Sequence, residues 1–474
     1  MTYYGLHSQQ HRGQEASGIC TSEFLPGENK YRFNIHKGHG IALNVFSDRN
    51  ILTRVLKGTS AIGHNRYSTT GASDSRSNIQ PFKVNFKGGH LALSHNGNFT
   101  NTKELREKLQ NEGTIFQTST DSEILLHLIA RSKQKELIDK ILEACKQIRG
   151  AYSIVLLTDD KLFAIKDPYA VRPLSMGRLE ESFVFASETC AFDIINAEYI
   201  RDIKPGEIVQ IDEETVKTGK EKSYFIDKKG ETKHCIFEYV YFSRPDSTIF
   251  ENTVDKVRRQ LGKNLAIEKP APKANVEDKK VVVISVPDSS NTATLGFLTE
   301  TIKSNPYVKL ELGLIRSHYI GRTFIQPGQD NREIRVKAKF NTVKSVLKDR
   351  IVVIVDDSIV RGTTAMLLVK LVKEAKPKEI HLRITSPPIV SPCYYGMDFP
   401  SKEELIANQI NNDLEKLREY LGVDSVEYLS LEKLHESAPQ GVNSSGEKIG
   451  YCDACFSRNY PIPIEEIEKT EFEE

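Results

Sequence analysis

The sequence predicts two domains in series: a mainly antiparallel α+β domain, then an α/β domain built on a parallel sheet. Three observations predict it. The chain has 474 residues, more than one hydrophobic core usually serves. From about residue 92 to 211, short β-type runs recur between turn residues, at 91–94, 152–158, 162–166, 183–186 and 208–211, with a single clear helix among them. From about residue 279 the pattern changes to buried-type strands, each leading through a polar turn into a helix.

In the first region the expected helix opens near Asp121 and carries Ile124, Leu125, Leu128 and Ile129 on one apolar stripe. In the second, 281–286 and 351–355 are almost wholly β-branched and apolar, and 380–384 less purely so. The first two run into the turns 287–291 and 356–364, and the stretch 365–375 then reads as helix. Ligands in such sheets bind outside the carboxyl ends of the strands. A further helix is expected over 404–421, with Leu405, Ile406, Ile410, Leu414, Leu417 and Leu421 on one face. Residues 269–280 read as a surface loop and the acidic end from Glu465 as a frayed tail.

Composition excludes several classes. Hydrophobic content of 39% and charged content of 27% describe an ordinary globular protein. The net charge of +1, from 65 basic and 64 acidic residues, gives no reason to expect a nucleic-acid or membrane-surface partner. No run of 18 apolar residues is present, so no membrane span is expected. The first residues lack the basic-then-apolar pattern of a secretory signal. Seven scattered cysteines are too few for a disulfide framework, and the cytoplasm is the expected location.

The most specific motif is Val352–Val353–Ile354–Val355–Asp356–Asp357–Ser358–Ile359–Val360–Arg361–Gly362–Thr363–Thr364. Two carboxylates at a strand end can take ribose hydroxyls and ligate magnesium. The small-residue loop before the helix offers backbone N–H groups, a positive dipole end and hydroxyls to a terminal phosphate. A lone Asp-Asp pair would be read as a helix cap; the full strand-loop-helix string favours the ligand site. It resembles the phosphoribosyl-pyrophosphate loop of type I phosphoribosyltransferases, which implies phosphoribosyl-pyrophosphate binding by Asp356, Asp357, Ser358, Arg361, Gly362, Thr363 and Thr364. By the same resemblance Ser290, in Pro287–Asp288–Ser289–Ser290, joins Asp356 and Asp357 around Mg2+. Tyr319–Ile320–Gly321–Arg322–Thr323–Phe324–Ile325–Gln326–Pro327–Gly328, followed by Arg332, Arg335, Lys337, Lys339, Lys344 and Lys348, suits a basic lid that excludes water from the anomeric carbon. On charge alone, a solvated surface is an equal reading.

The first half carries His11–Arg12–Gly13–Gln14–Glu15, Asn65–Arg66–Tyr67–Ser68–Thr69, Ser94–His95–Asn96–Gly97–Asn98 and Thr120–Asp121–Ser122–Glu123. Singly, Asn-Gly is a turn signal and Asp121 an N-cap. In this order and spacing they resemble class II glutamine amidotransferases, an Ntn-hydrolase-like fold of αββα layers. The resemblance implies that Arg66 and Asp121 hold the glutamine carboxylate and amine with Arg12 in support. It also implies that Asn96 and the Gly97 N–H stabilise the oxyanion.

That family attacks glutamine with an N-terminal cysteine, whose own α-amine, of pKa near ~8, is the base. Residue 1 here is methionine, and residues 2–7 resemble the family's first helix. The nucleophile segment is therefore expected to be missing by roughly a dozen residues or more. An upstream start, a truncation leaving an ammonia-dependent transferase, and a nucleophile at Thr2 are the competing explanations. Thr2 lies too close to Arg12 for the family geometry, and the loss of a core strand argues for the upstream start. The sequence as it stands is expected not to hydrolyse glutamine. Cys20 reads as a small buried residue.

Cys452–Asp453–Ala454–Cys455 has the spacing of a ligand pair, and Cys235 and Cys393 stand alone. Two distant thiolates can complete a tetrahedral set. The segments Cys235–Ile236–Phe237–Glu238–Tyr239–Val240–Tyr241–Phe242–Ser243–Arg244–Pro245–Asp246–Ser247 and Ser386–Pro387–Pro388–Ile389 before Cys393 resemble the iron–sulfur branch of the amidophosphoribosyltransferase family. The resemblance implies a structural [4Fe–4S] cluster on Cys235, Cys393, Cys452 and Cys455. Structural zinc, or a redox pair beside two unrelated cysteines, are the other readings.

The resemblance runs from Thr2 to about Pro461 and implies an N-terminally incomplete class II glutamine amidotransferase domain over 1–229 and a phosphoribosyltransferase domain over 230–474. The implied reaction moves ammonia from glutamine onto phosphoribosyl pyrophosphate, giving 5-phosphoribosylamine, glutamate and pyrophosphate, the first committed step of purine synthesis. Residues 239–247 are expected to line the ammonia passage. Inhibition by purine nucleotides and a homotetramer are implied in the same way. An ammonia-dependent transferase with an inactive glutaminase half, and a nucleotide-responsive regulator on the same fold, are the alternatives; the intact loop from Asp356 to Thr364 argues against the regulator. Another class II amidotransferase would carry a sugar isomerase or adenylating domain in place of that loop.

Overall fold

In the computed structural model, which describes residues 1–67, 75–227, 230–273, 281–317 and 337–465, two sheets face each other in the first half. A three-stranded antiparallel sheet has Ala16–Leu25 between Lys30–His39 and Ser60–Arg66. A six-stranded antiparallel sheet runs Lys222–Phe225, Glu207–Ile211, Leu162–Lys166, Gly150–Thr158, Gly89–Phe99, Phe82–Phe86. Period-two alternation sends one side of each strand to each layer. In Gly150–Thr158, Leu157 joins Cys20, Phe33, Ile62 and Ala92 between the sheets, while Tyr152, Ile154 and Leu156 meet a helical layer. That layer supplies Leu105, Leu109, Ile124, Leu125, Leu128, Ile129 and Ile141. Across the smaller sheet, Leu6, Ala42 and Phe46 pack on Ile19. The layers are α, β, β, α, as expected, and Cys20 is fully buried.

Where one helix was expected between residues 92 and 211, three of comparable length stand: Thr102–Asn111, Glu123–Arg131 and Leu137–Cys145. Thr102–Asn111 buries only Leu105 and Leu109 among its apolar residues, a thin signal, whereas Leu137, Ile138, Ile141, Leu142 and Cys145 form an unbroken stripe that the expectation overlooked. The three-stranded sheet before residue 92 was also not foreseen.

The second half is built on a five-stranded sheet in which every pair is parallel, ordered Lys309–Leu310, Val281–Ser285, Ile351–Asp356, Glu379–Ile384, Ser425–Tyr428. Both faces are covered, which explains the unbroken apolar runs. Val281, Val283, Val353 and Val355 face a core with Leu261, Leu265 and Phe297. Val282, Ile284, Val352 and Ile354 face another with Leu368, Val369, Val372, Leu417 and Leu421. The helix expected over 365–375 is Thr363–Lys373.

The continuous helix expected over 404–421 is broken into Lys402–Glu404, Ile406–Gln409 and Leu414–Leu421. Asn411 and Asn412 take φ of 55° and 57°, left-handed values that end a helix. Asp413 then caps the next one through Glu415 N–H and Lys416 N–H. The stop and start signals outweigh the shared apolar stripe, and Leu414 is 38% exposed.

Candidate active sites

A cavity in the first half is lined by Arg12, His64, Arg66, Tyr67, His95, Asn96, Gly97, Asp121 and Phe242, among others. It brings together all five first-half residues singled out from sequence. Ser68 and Thr69 of the second motif lie outside the described residues. Asn96 and Gly97 stand inside the strand Gly89–Phe99, not in a turn. Gly97 has φ +145°, and a Cβ there would meet the Ala151 carbonyl oxygen at 2.0 Å. Only glycine fits that approach. Asp121 is not an N-cap: the helix after it starts from Ser122 without a side-chain cap. Its Oδ2 instead accepts the Phe99 N–H at 2.8 Å, and its Oδ1 accepts the Ser122 hydroxyl at 3.2 Å.

Arg12 lines the cavity, but its guanidinium is taken up by carboxylates. It donates to Glu188 at 2.5 Å and to both Glu238 oxygens at 2.7 and 3.0 Å. Burial opposes the charge on Glu238, yet Arg12 and Arg172 outweigh it and hold the carboxyl below its usual range. His64 is driven to about 3 by burial; its Nε2–H meets the His95 carbonyl at 3.1 Å, and its Nδ1 has no partner among the described residues. Sequence reasoning missed Glu188 and Glu238 because nothing local marks a partner 176 or 226 residues away. It also missed Gly396, whose Cβ position falls 2.8 Å from Gly97 Cα. None of the cavity's described lining residues is a cysteine.

At the carboxyl end of Ile351–Asp356, Asp356 and Asp357 meet the other strand-end loop. Ser290 Oγ donates to Asp356 at 3.0 Å, Ser289 Oγ to Asp357 at 2.5 Å, and Ser358 Oγ to Asp357 at 2.8 Å. Burial, and for Asp356 the Asp357 charge beside it, push both carboxyls up. Neither aspartate caps the following helix, whose N-cap is Gly362 at φ 76° with no side-chain cap bond. Arg361 pairs at the surface with Glu404 at 3.1 Å. Residues 319–328, Arg332 and Arg335 lie outside the described residues; of the basic run after them, Lys337 pairs with Glu374 at 2.8 Å.

The four cysteines converge. His234–Cys235 and Tyr451–Cys452 pair as parallel strands with Cys235 opposite Cys452. The Cys455 carbonyl accepts the Val390 and Ser391 N–H groups at 2.9 and 3.2 Å, bringing the Cys393 segment alongside. All four belong to or pack on one apolar core. Burial first, then the neighbouring sulfurs, push the Cys452 and Cys455 thiols up. Among the described residues, no three His, Cys, Asp or Glu side chains gather closely enough to hold a single metal ion.

Comparison with known proteins agrees with this geometry. The glutamine amidotransferase domain family matches residues 64–193. Amidophosphoribosyltransferase 1, chloroplastic, of Arabidopsis thaliana is 44% identical over 468 residues, 98% of this chain and 77% of the relative. The amidophosphoribosyltransferase of Bacillus subtilis is 43% identical over 465 residues, 98% of this chain and 91% of the relative. The chain belongs to the amidophosphoribosyltransferase family. A solved glutamine phosphoribosylpyrophosphate amidotransferase from B. subtilis, complexed with ADP and GMP, superposes with a TM-score of 0.87 at 40% identity, covering 100% of this chain and 97% of that one. The family's enzymes are glutamine-dependent transferases of the first step of purine synthesis, and the pairing of a class II amidotransferase fold with a parallel phosphoribosyltransferase sheet is the family's architecture. No helix among the described residues is long and apolar enough to cross a membrane.

Proposed function

We propose that this chain aminates phosphoribosyl pyrophosphate at the Asp356–Thr364 loop with ammonia, whose release from glutamine held at the Arg66–Asp121 cavity needs a cysteine nucleophile that is not among the cavity's described lining residues. One observation carries the reading: Asp356 and Asp357, adjoined by Ser290, stand at the carboxyl edge of a parallel sheet. Asp356, Asp357 and Ser290 would hold magnesium, which supplies charge neutralisation to the leaving pyrophosphate. The two raised carboxyl values are what a paired cation would offset. The loop N–H groups and the hydroxyls of Ser358, Thr363 and Thr364 hold phosphate, with Gly362 allowing close approach and Arg361 adding charge. In the first half, Arg66 and Asp121 hold the glutamine α-groups, Arg12 braces the wall, and Asn96 with the Gly97 N–H receives the oxyanion. Residues 239–247 join the sites: Phe242 lines the glutamine cavity, and Asp357 and Asp356 act on the Tyr241 phenol. In this reading the chain divides near residue 230, after the strand Lys222–Phe225 of the six-stranded sheet.

Cys235, Cys393, Cys452 and Cys455 would hold a [4Fe–4S] cluster as a structural tie. The all-thiol donor set, with Cys235, Cys452 and Cys455 buried and Cys393 half-buried against the same apolar core, fits it. Purine nucleotides as inhibitors fit the ADP and GMP complex of the B. subtilis relative. A homotetramer and a cytoplasmic location complete the proposal; seven free cysteines suit a reducing compartment.

The test is pyrophosphate release from Mg2+ and phosphoribosyl pyrophosphate with ammonium salts. The double substitution Asp356→Asn, Asp357→Asn should lower it by at least ~10²-fold. Unchanged release would place the chemistry elsewhere.

A further inference from the structure

Backbone from the second half closes one side of the first-half cavity. Gly396 lines it together with Asn96 and Gly97. The two glycines meet almost backbone to backbone: a Cβ on Gly396 would stand 2.8 Å from Gly97 Cα, 3.0 Å from its carbonyl carbon and 3.2 Å from its oxygen. Beside them, Asn98 Nδ2 donates to the Tyr394 carbonyl at 3.2 Å. The loop that makes these contacts is itself pinned. Tyr395, 2% exposed, donates its hydroxyl to the Ile462 carbonyl at 2.5 Å and accepts the Ile462 N–H at 3.0 Å. The Tyr460 hydroxyl donates to the Pro392 carbonyl at 2.6 Å. We propose that Gly396, held by Tyr395, is a positioning residue: it fixes where the Gly97 N–H meets the side-chain carbonyl oxygen of an ω-amide amino acid, and so sets discrimination for that oxygen.

The physical case is steric. Gly97 pairs with Tyr152 in the register of strand Gly150–Thr158, and its own Cβ position is taken by the Ala151 carbonyl oxygen at 2.0 Å. Its peptide therefore has packed backbone against it from both the Ala151 strand and the Gly396 loop, and close-packed interiors leave little slack. Gly396 has φ +103°, and the three atoms nearest its Cβ position are all Gly97 backbone. A side chain there is strained in any case, and only retreat of the loop or of Gly97 would make room for it. A donor aimed at an oxygen weakens as distance and angle depart from the optimum. The α-groups fall to Arg66 and Asp121 and not to Gly97, so a shift at Gly97 acts on the side-chain oxygen.

This inference rests on the reading of Asn96 and Gly97 as oxygen donors above. The experiment titrates the full chain calorimetrically with L-glutamine and with L-norvaline, which has the same α-groups and carbon chain but no side-chain oxygen. The parent should bind glutamine tighter by ~10-fold or more, because norvaline leaves the Asn96 and Gly97 donors unpaired. Gly396→Ala should bring that ratio below about 3-fold while norvaline affinity stays within about 2-fold of the parent's. Tyr395→Phe adds no bulk to the cavity and should lower the ratio in the same direction; it decides the matter if the alanine variant does not fold. A purely structural role would weaken both ligands by one factor. That result, or an unchanged ratio in either folded variant, overturns the positioning role. Absence of any discrimination in the parent would instead overturn the oxygen-donor reading of Asn96 and Gly97.

Discussion

The Asp121 carboxylate accepts the Phe99 N–H at 2.8 Å across two elements. It thereby fixes the end of the strand carrying Asn96 and Gly97 against the loop that precedes Glu123–Arg131. One acidic side chain is both a structural brace and a wall of the first-half cavity.

The two roles separate by substitution. Asp121→Asn keeps an oxygen for Phe99 N–H and removes the charge. Glutamine affinity should fall by roughly 10-fold or more, a loss of about 1.5–3 kcal/mol for a charged hydrogen bond, with the urea midpoint nearly unchanged. Equal affinity by calorimetry would remove Asp121 from the amine site.

Gly97→Ala is expected to be severe. The added methyl would collide with the Ala151 carbonyl at 2.0 Å and His95 Nε2 at 2.9 Å, on a backbone of φ +145°. Strand Gly89–Phe99 must shift from Gly150–Thr158, at a cost of ~2 kcal/mol or more. A melting temperature equal to the parent's would show that the strands part without penalty.

His64 makes stability pH-dependent. Burial lowers its pKa from 6.5 to about 3, so between those values the unfolded chain binds the extra proton. The contribution is fully present above about pH 6.5 and is lost as pH falls toward 3. Between pH 6.5 and 5 the parent should lose roughly 1–2 kcal/mol through this group, read from urea midpoints. His64→Gln should flatten that part of the profile; an unaltered slope would assign the loss to other groups.

Cys455→Ser should reduce iron per chain and absorbance near ~400 nm in anaerobically purified protein. It should also lower the denaturation midpoint, since the Cys455 side chain is buried in an apolar core where a hydroxyl costs more to bury than a thiol. One zinc per chain in the parent, with no iron, would overturn the cluster assignment.

Much of the site was legible along the chain. The strand-loop-helix string ending at Thr364 and the four short motifs of the first half are contiguous, and their chemistry is set by residue type and spacing. Leu162–Lys166 matches the expected strand at both ends because a short β-type run bounded by turn residues is a local signal. The break at Asn411–Asn412–Asp413 was also written locally, but the apolar stripe through 404–421 masked it.

The sequence by itself offered candidate residues for phosphate and magnesium, and by resemblance to known families for glutamine and a sulfur-ligated metal, because such motifs are short runs of side chains and adjacent backbone. Only the tertiary structure decided that Arg12 is spent on Glu188 and Glu238, that Gly396 abuts Gly97, and that Cys235 lies opposite Cys452. Such contacts join residues far apart in the chain. Packing selects them after the layers form, and no periodicity within either segment records the choice.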